Sequence, residues 1–109
     1  MNRLDGKVAL ISGAARGIGA ETARLMVEAG ARMVIGDILE ERGRETARAI
    51  GTDASAVFQR LDVTSEEDWN AAISAATARW GGLDILVNNA GMFLGKGIEE
   101  ASRAMRRSW

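Results

Sequence analysis

The chain lacks cysteine, histidine, proline and tyrosine among its 109 residues, and three of these absences exclude some chemistry. Without cysteine there are no disulfides and no thiol reactions, which fits the reducing environment of the cytoplasm. Without cysteine and histidine a zinc ion would have only carboxylate ligands, so we expect no metal site. Without tyrosine, this chain alone cannot use a phenol as an acid or a base.

The charge pattern also excludes some partners. The formal net charge is -1, so no overall field attracts the chain to nucleic acid or to an anionic membrane, and we expect neither partner. The basic residues Arg103, Arg106 and Arg107 indicate a solvated helix face rather than a nucleic-acid tail. The first apolar run is brief and soon meets Arg16, which argues against a signal peptide or a membrane span. We expect a single cytoplasmic domain.

Short apolar runs alternate with amphipathic stretches along the chain. Strands are predicted at 7–11 and 33–35, from 56–58 towards 61–63, and at 83–87. Helices are predicted at 17–29, at 39–50 and between 65 and 81. This βαβαβαβ order is typical of a parallel sheet covered by helices on both faces. Right-handed crossovers then predict the strand order 3-2-1-4, with ligands bound at the carboxyl ends of the strands.

Three residues refine the predicted helices. Ser65 has the position of an N-cap, with Asp68 three residues later as its acidic partner. Gly43 lies inside the second helix, where glycine costs about 1 kcal/mol relative to alanine. Trp69 falls on the apolar stripe of the third helix and is expected in the core.

A glycine-rich segment joins the first strand to the first helix. Residues 12–19 read Ser-Gly-Ala-Ala-Arg-Gly-Ile-Gly. Gly13, Gly17 and Gly19 permit positive φ angles and let backbone N–H groups approach a pyrophosphate, at which the helix would point its positive end. The alternative is a tight strand-to-helix turn that binds nothing.

An acidic residue closes the second strand. Asp37 could accept hydrogen bonds from the ribose hydroxyls of NAD and would repel the 2′-phosphate of NADP. The alternative is an Asp that caps the following helix. Arg16 in the glycine segment could reach a 2′-phosphate, which would favour NADP. We favour NAD, because Asp37 lies where the ribose is expected.

Polar residues also follow the third and fourth strands. Asp62 and Val63 could line an adenine pocket, or could belong to a plain loop before Ser65. The run 88–91, Asn-Asn-Ala-Gly, could join neighbouring loops and leave room for a ligand, or could be an Asn-rich turn. These positions share one edge of the predicted sheet with the glycine segment, which strengthens the interpretation that they bind a ligand. A phosphate-binding regulator unrelated to nicotinamide is a further alternative, which Asp37 and the run 88–91 disfavour.

Together these motifs resemble the short-chain dehydrogenase/reductase family over about residues 4–102. The resemblance is carried by the run 13–19, by Asp37 as the acidic position of NAD-type members, by the run 61–64 and by the run 88–91. It implies an α/β fold of the Rossmann type with three layers and a doubly wound parallel sheet. It also implies NAD as cofactor, with NADP less favoured, and hydride transfer at a secondary alcohol or ketone, as in hydroxysteroid dehydrogenases.

The resemblance also assigns site residues. Those it implies for cofactor binding are Gly13, Arg16, Gly17, Ile18, Gly19, Asp37, Asp62, Val63, Asn88, Ala90 and Gly91. The family's catalytic serine, tyrosine and lysine, the last two in a Tyr-x-x-x-Lys motif, have no match in this chain. We therefore expect residues 1–109 to form an NAD-binding half-domain truncated to about four strands, which needs the missing half to act on an alcohol or ketone.

An alternative function belongs to a different class. The chain could be a catalytically inactive dinucleotide-binding fragment or a regulatory partner of an intact homologue. The predicted fourth strand is left as a sheet edge, through which the chain could form a homo-oligomer or associate with a partner.

Overall fold

The computed structural model describes residues 3–89, in which four parallel strands alternate with three helices. The elements are β1 (Val8–Ser12), α1 (Gly17–Glu28), β2 (Arg32–Asp37), α2 (Glu40–Ile50), β3 (Ala56–Arg60), α3 (Glu66–Trp80) and β4 (Ile85–Asn88). The sheet has the order β3-β2-β1-β4, which confirms the predicted Rossmann-type topology. The residues Arg103, Arg106 and Arg107, interpreted above as a solvated helix face, lie outside the described residues.

The fourth strand begins two residues later than the sequence pattern predicts. Asp84 carries the difference: its backbone N–H donates to the Val8 carbonyl over 2.8 Å, and its Oδ2 accepts from the Val8 N–H over 2.9 Å. The Asp84 carboxylate thus accepts the Val8 N–H, which would otherwise be free to bond a backbone carbonyl of the neighbouring strand. Regular pairing of β4 with β1 starts at Ile85, opposite Ala9.

The register of the sheet brings the strand ends together. Ser12 at the end of β1 lies opposite Gly36 on one side and opposite Asn88 on the other. Asp37 at the end of β2 lies opposite Arg60 at the end of β3. All four carboxyl ends therefore meet at one edge, as expected for a parallel sheet.

The core lies on both faces of β1, because its alternate side chains point in opposite directions. Leu10 packs with Trp69 and the other buried residues of α3, whereas Ile11 packs with buried alanines of α1 and α2. Trp69 is fully buried, and its Nε1 donates to the Val63 carbonyl over 2.9 Å, which confirms it as a core residue. The sheet is thereby fixed between two helical layers.

The start of α3 differs in part from the predicted cap. The Ser65 hydroxyl accepts from the Asp68 N–H over 3.1 Å, as an N-cap should. The Asp68 carboxylate does not return to the Ser65 N–H, which donates instead to the Asp62 carbonyl over 2.9 Å. Asp68 Oδ2 accepts from the Asp62 N–H over 2.8 Å and from Arg60 over 2.7 Å, because the loop after β3 passes directly over the helix start.

Gly43 has a packing role in α2. An ideal Cβ at this position would lie 2.1 Å from Cε1 of Phe58 on β3, so any side chain here would require the Phe58 ring or the helix to shift. This contact explains a residue that local helix propensity disfavours. Between residues 3 and 89, no helix combines the length and the apolar character needed to cross a bilayer.

Candidate functional site

The turn between β1 and α1 forms one wall of the site. Gly13 and Gly17 have φ angles of 68° and 64°, values that side chains other than glycine rarely adopt. Arg16 is the extended N-cap residue of α1, but its side chain does not cap the helix, and the first turn has no acidic residue. The positive end of α1 is therefore left without a side-chain cap and can attract an anion.

A cavity of about 540 Å³ lies at the carboxyl edge of the sheet beside this turn. Its volume falls within the range of small-molecule sites, roughly 300–1,000 Å³. It is lined by Gly13, Arg16, Gly17, Ile18, Asp37, Ile38, Leu39, Leu61, Asp62, Val63 and Asn89. The cavity thus combines the uncapped start of a helix, two carboxylates and several apolar side chains.

Asp37 joins the end of β2 to the glycine turn. Its Oδ2 accepts from the Ala15 N–H over 3.0 Å, and its Oδ1 accepts from the Leu39 N–H over 3.1 Å. The N-cap position of α2 is occupied by Leu39, so Asp37 is not the capping residue that the alternative required. Two backbone N–H groups fix this carboxylate at the wall of the cavity, next to the start of α1.

Asp62 also lines the cavity and is held by Thr64. Its Oδ1 accepts from the Thr64 hydroxyl over 2.6 Å and from the Thr64 N–H over 2.9 Å. These two bonds lower the pKa of the Asp62 carboxyl, with the hydroxyl as the larger cause and Arg60 adding a smaller contribution. The carboxylate is thus ionised at neutral pH.

The two asparagines after β4 have different roles. The buried Ser12 hydroxyl donates to Asn88 Oδ1 over 2.7 Å, so Asn88 joins β4 to β1 and does not line the cavity. Asn89 does line it: its N–H donates to Ser12 Oγ over 3.0 Å, and its Nδ2 donates to the Gly13 carbonyl over 3.4 Å. The predicted cofactor-binding residues include Asn88 but not Asn89, although both amides belong to the run 88–91 that was predicted to join neighbouring loops.

Gly17 and Gly19 also differ in their surroundings. An ideal Cβ on Gly19 would lie 2.2 Å from the Gly13 carbonyl oxygen and 2.6 Å from Asn89 Nδ2, so this glycine allows α1 to pack behind the turn. An ideal Cβ on Gly17 would have no neighbour within 4 Å, and Gly17 lines the cavity. The open space beside Gly17 is the kind of cradle that lets a phosphate approach backbone N–H groups.

The predicted cofactor-binding residues are therefore brought together only in part. Those that line the cavity are Gly13, Arg16, Gly17, Ile18, Asp37, Asp62 and Val63. Gly19 and Asn88 lie behind this wall, and Ala90 and Gly91 fall outside the described residues. The lining residues that were missed are Ile38, Leu39, Leu61 and Asn89. Two of them had a signal, an apolar pair in the loop directly after Asp37.

The apolar part of the cavity is unusually accessible. Both Ile18 on α1 and Ile38 in the loop after β2 line the cavity, and they are 78% and 57% exposed. Exposed apolar side chains facing one cleft are typical of a surface that covers a ligand. Among residues 3–89, no group of three acidic side chains lies close enough to hold a metal ion. The residues present fit an organic anion with an apolar part, as in a dinucleotide.

Curated relatives of this chain include dehydrogenases. It is 48% identical over 107 residues to a trans-4-hydroxycyclohexanecarboxylate dehydrogenase of Sinomonas cyclohexanicum. The match covers 92% of this chain and 41% of the relative. It is 51% identical over 90 residues to a 3-alpha-(or 20-beta)-hydroxysteroid dehydrogenase of Mycobacterium bovis, covering 83% and 34% respectively. The chain thus spans less than half the length of these relatives.

Solved structures and a family model agree with these relatives. A hydroxysteroid dehydrogenase from Escherichia coli aligns with a TM-score of 0.80 at 32% identity, covering 94% of this chain and 52% of the other. A short-chain dehydrogenase/reductase from Brucella melitensis, 22% identical, has the same fold, with a TM-score of 0.85 over 95% of this chain and 50% of its own. The family model described as short chain dehydrogenase matches residues 7–109. The chain belongs to the short-chain dehydrogenase/reductase family.

Proposed function

We propose that this chain carries the NAD-binding part of an oxidoreductase that transfers hydride between a nicotinamide and a secondary alcohol or ketone. The observation that carries the proposal is the position of Asp37, whose carboxylate bonds the glycine turn at the uncapped start of α1. An anion site and a fixed carboxylate thus share one cavity. A bound NAD would supply the hydride acceptor, and the chain would supply its binding and orientation.

The start of α1 is the proposed diphosphate site. Its helix dipole is not neutralised by an acidic first turn, and Gly17 leaves space beside the backbone N–H groups. Arg16 lines the same cavity and would add a positive charge. A diphosphate there would meet donors and positive charge without a carboxylate of the first turn opposing it.

Asp37 is the proposed determinant of the cofactor. Its two oxygens are fixed by Ala15 and Leu39, and each oxygen retains a lone pair for a ribose hydroxyl. A 2′-phosphate would bring a second negative charge against this carboxylate, at a cost of several kcal/mol. We therefore propose NAD rather than NADP. Arg16 supports a preference for NADP, because a guanidinium can bind the 2′-phosphate. The measured affinities for NAD⁺ and NADP⁺ decide between the two.

The chain lacks the residues that the family uses for catalysis, which leaves a second function to consider. The chain has no tyrosine, and the family resemblance assigns the proton transfer to a tyrosine. Ser12 is not a substitute for the family's serine, because it is fully buried and bonded to Asn88 and Asn89. We propose that the 109-residue chain by itself binds the cofactor without turnover. The alternative is an inactive regulatory partner of an intact homologue.

The edge of the sheet is the proposed route of association. β4 pairs with β1 on one side, and its apolar residues Ile85, Leu86 and Val87 are only half-buried in the part of the chain described. A half-buried apolar strand favours pairing with another chain. We propose that the chain forms a homo-oligomer through this edge. We also propose that it is located in the cytoplasm. Light scattering after size-exclusion chromatography tests the association, and a compact monomer would contradict it.

Titration with NAD⁺, followed by calorimetry, tests the proposed function. We expect the wild-type chain to bind and G17A to lose most of its affinity, because the added Cβ enters the cavity. G81A is the matched control: Gly81 also has a positive φ, 86°, and open space around its Cβ, but it ends α3 and does not line the cavity. Absence of binding by a folded wild-type chain, or equal losses in both variants, would contradict the proposal.

A further inference from the structure

Thr46 on α2 donates its hydroxyl to the Ala15 carbonyl over 2.5 Å, a contact between α2 and the glycine turn. We propose that Thr46 is a positioning residue for phosphate binding, which it would influence through the backbone of the turn without contacting the ligand. Neither the glycine motif nor the predicted strand ends include it. The inference rests on the proposed function, because it assumes that the turn binds a diphosphate.

The Ala15 residue is held by both of its backbone polar groups. Its N–H is bound by Asp37 and its carbonyl by Thr46, and the preceding N–H, that of Ala14, donates to the Gly36 carbonyl over 3.1 Å. Ala15 is also fully buried. The first half of the turn is therefore fixed by β2 and α2 before any ligand binds, which lowers the ordering cost of binding.

The Thr46 bond sets the direction of the next backbone donor. The carbonyl of Ala15 and the N–H of Arg16 belong to one peptide unit, which is planar and trans. The two groups point in opposite directions, so a carbonyl directed at α2 directs the Arg16 N–H away from α2. Arg16 lines the cavity. Loss of the Thr46 hydroxyl would free this peptide to rotate and would disorder the donors at the start of α1.

The buried contacts of α2 with the sheet are made by residues other than Thr46. This helix is attached to the sheet by the buried residues Gly43 and Ala47, whereas Thr46 is half-buried. T46V keeps the shape of the side chain and removes the donor, and T46S keeps the donor. Thr77 provides a control for the loss of a threonine hydroxyl. It is exposed, and its hydroxyl also donates to a carbonyl, that of Ile73 over 3.0 Å, on the far helix α3.

Binding of NAD⁺, ADP and adenosine to the wild-type chain and these variants tests the proposal. We expect T46V to weaken NAD⁺ and ADP by about threefold to tenfold, the effect of one hydrogen bond, and to leave adenosine unchanged because it lacks phosphates. We expect T46S and T77V to match the wild type. T46A is measured alongside T46V, so that a variant that fails to fold does not remove the test.

Each other outcome has a definite meaning. Wild-type affinity of T46V and T46A for ADP would overturn the role of Thr46 and leave the proposed function standing. An equal loss for adenosine would overturn it as well, since it would indicate a general loosening of the structure. A folded wild-type chain that binds neither NAD⁺ nor ADP would overturn the proposed function and this inference together. As a readout without ligand, the amide NMR signals of Arg16 and Gly17 should shift in T46V and not in T46S.

Discussion

Asp37 Oδ2 accepts a hydrogen bond from the Ala15 N–H over 3.0 Å, so one carboxylate joins the end of β2 to the glycine turn. The residue proposed to select the cofactor therefore also helps to hold the turn proposed to bind its phosphates. A substitution at Asp37 should change two properties: the preference between cofactors, through its charge, and the affinity for both, through the turn.

Asp37→Asn should change both properties, and they are measured separately as the affinity for NAD⁺ and the ratio of the affinities for NADP⁺ and NAD⁺. Asparagine has an NH₂ group in place of one carboxylate oxygen, so either the Ala15 N–H or the Leu39 N–H would face a donor where it now meets an acceptor. We expect weaker NAD⁺ binding and, because the negative charge is gone, an NADP⁺-to-NAD⁺ affinity ratio raised by about tenfold or more. Calorimetric titrations with both cofactors measure the ratio.

The control for this variant is Asp53→Asn. It makes the same change in net charge at an exposed residue that does not line the cavity. It should leave the ratio at the wild-type value. An unchanged ratio in Asp37→Asn would show that another residue, Arg16 first, decides between the cofactors.

The stability of the glycine turn is a second prediction. Gly17→Ala places a side chain at a φ of 64°, which we expect to lower the free energy of unfolding by about 1–2 kcal/mol. Gly81→Ala, at a φ of 86°, should cost a similar amount. Urea denaturation compares the two. A much larger loss in Gly17→Ala would mean that its weaker NAD⁺ binding reflects unfolding and not a blocked cavity.

The acidity of Asp62 depends on Thr64. Thr64→Val removes the hydroxyl donor and keeps the backbone donor, so the pKa of Asp62 should rise towards its ordinary value. Because the folded-state pKa is lowered, this bond stabilises the wild type at neutral pH. That contribution disappears as the pH falls through the pKa of the folded state.

NMR titration of the Asp62 carboxyl carbon measures this pKa directly. Thr77→Val, which removes a hydroxyl on α3, should leave it unchanged. The difference in unfolding free energy between the wild type and Thr64→Val should be present at pH 7 and should vanish in strong acid. A pKa that does not move in Thr64→Val would contradict the assigned cause.

Trp69 links the core to the cavity wall. Its Nε1 bonds the carbonyl of Val63, which lines the cavity. Trp69→Phe leaves that carbonyl without this donor, and we expect a loss of about 1–3 kcal/mol in the free energy of unfolding, from urea denaturation. Trp80→Phe, at a half-buried tryptophan, should cost less. Equal losses would argue that the Nε1 bond contributes little.

Turnover is predicted to be absent in the isolated chain. With no tyrosine available as acid or base, NAD⁺ and a panel of secondary alcohols should yield no NADH above the rate without protein. Fluorescence of NADH measures the product. Robust formation that depends on the protein would contradict the assignment of this chain to cofactor binding alone.

The sequence predicted the parts of the site that depend on strand order. Gly17 was predicted from the glycine pattern that follows the first apolar run, and Asp37 from its place at the end of the second. Parallel strands bring those two ends together. The fourth strand was predicted too long, because the pattern does not reveal that the Asp84 side chain takes the Val8 donor. Topology was therefore more predictable than exact strand ends.

Side-chain direction was less predictable. Asn88 ends the pairing with Ser12 and turns its amide to that hydroxyl, so its neighbour Asn89 meets the cavity, a distinction that depends on register. Spacing alone did not distinguish Gly17, which opens the cavity, from Gly19, which packs against Asn89. Contacts between distant elements, such as that of Thr46 with Ala15, have no local sequence pattern.

The most direct test of the account is an NMR titration of the ¹⁵N-labelled chain with NAD⁺. The account predicts that the amide signals of residues 13–18, 37–39 and 61–63 shift together and saturate at one site. It also predicts that the amide signals of residues 52–55, which precede β3 at the opposite edge of the sheet from the cavity, do not shift. Shifts confined to residues outside the cavity, or no shift in a chain with a well-dispersed folded spectrum, would contradict it.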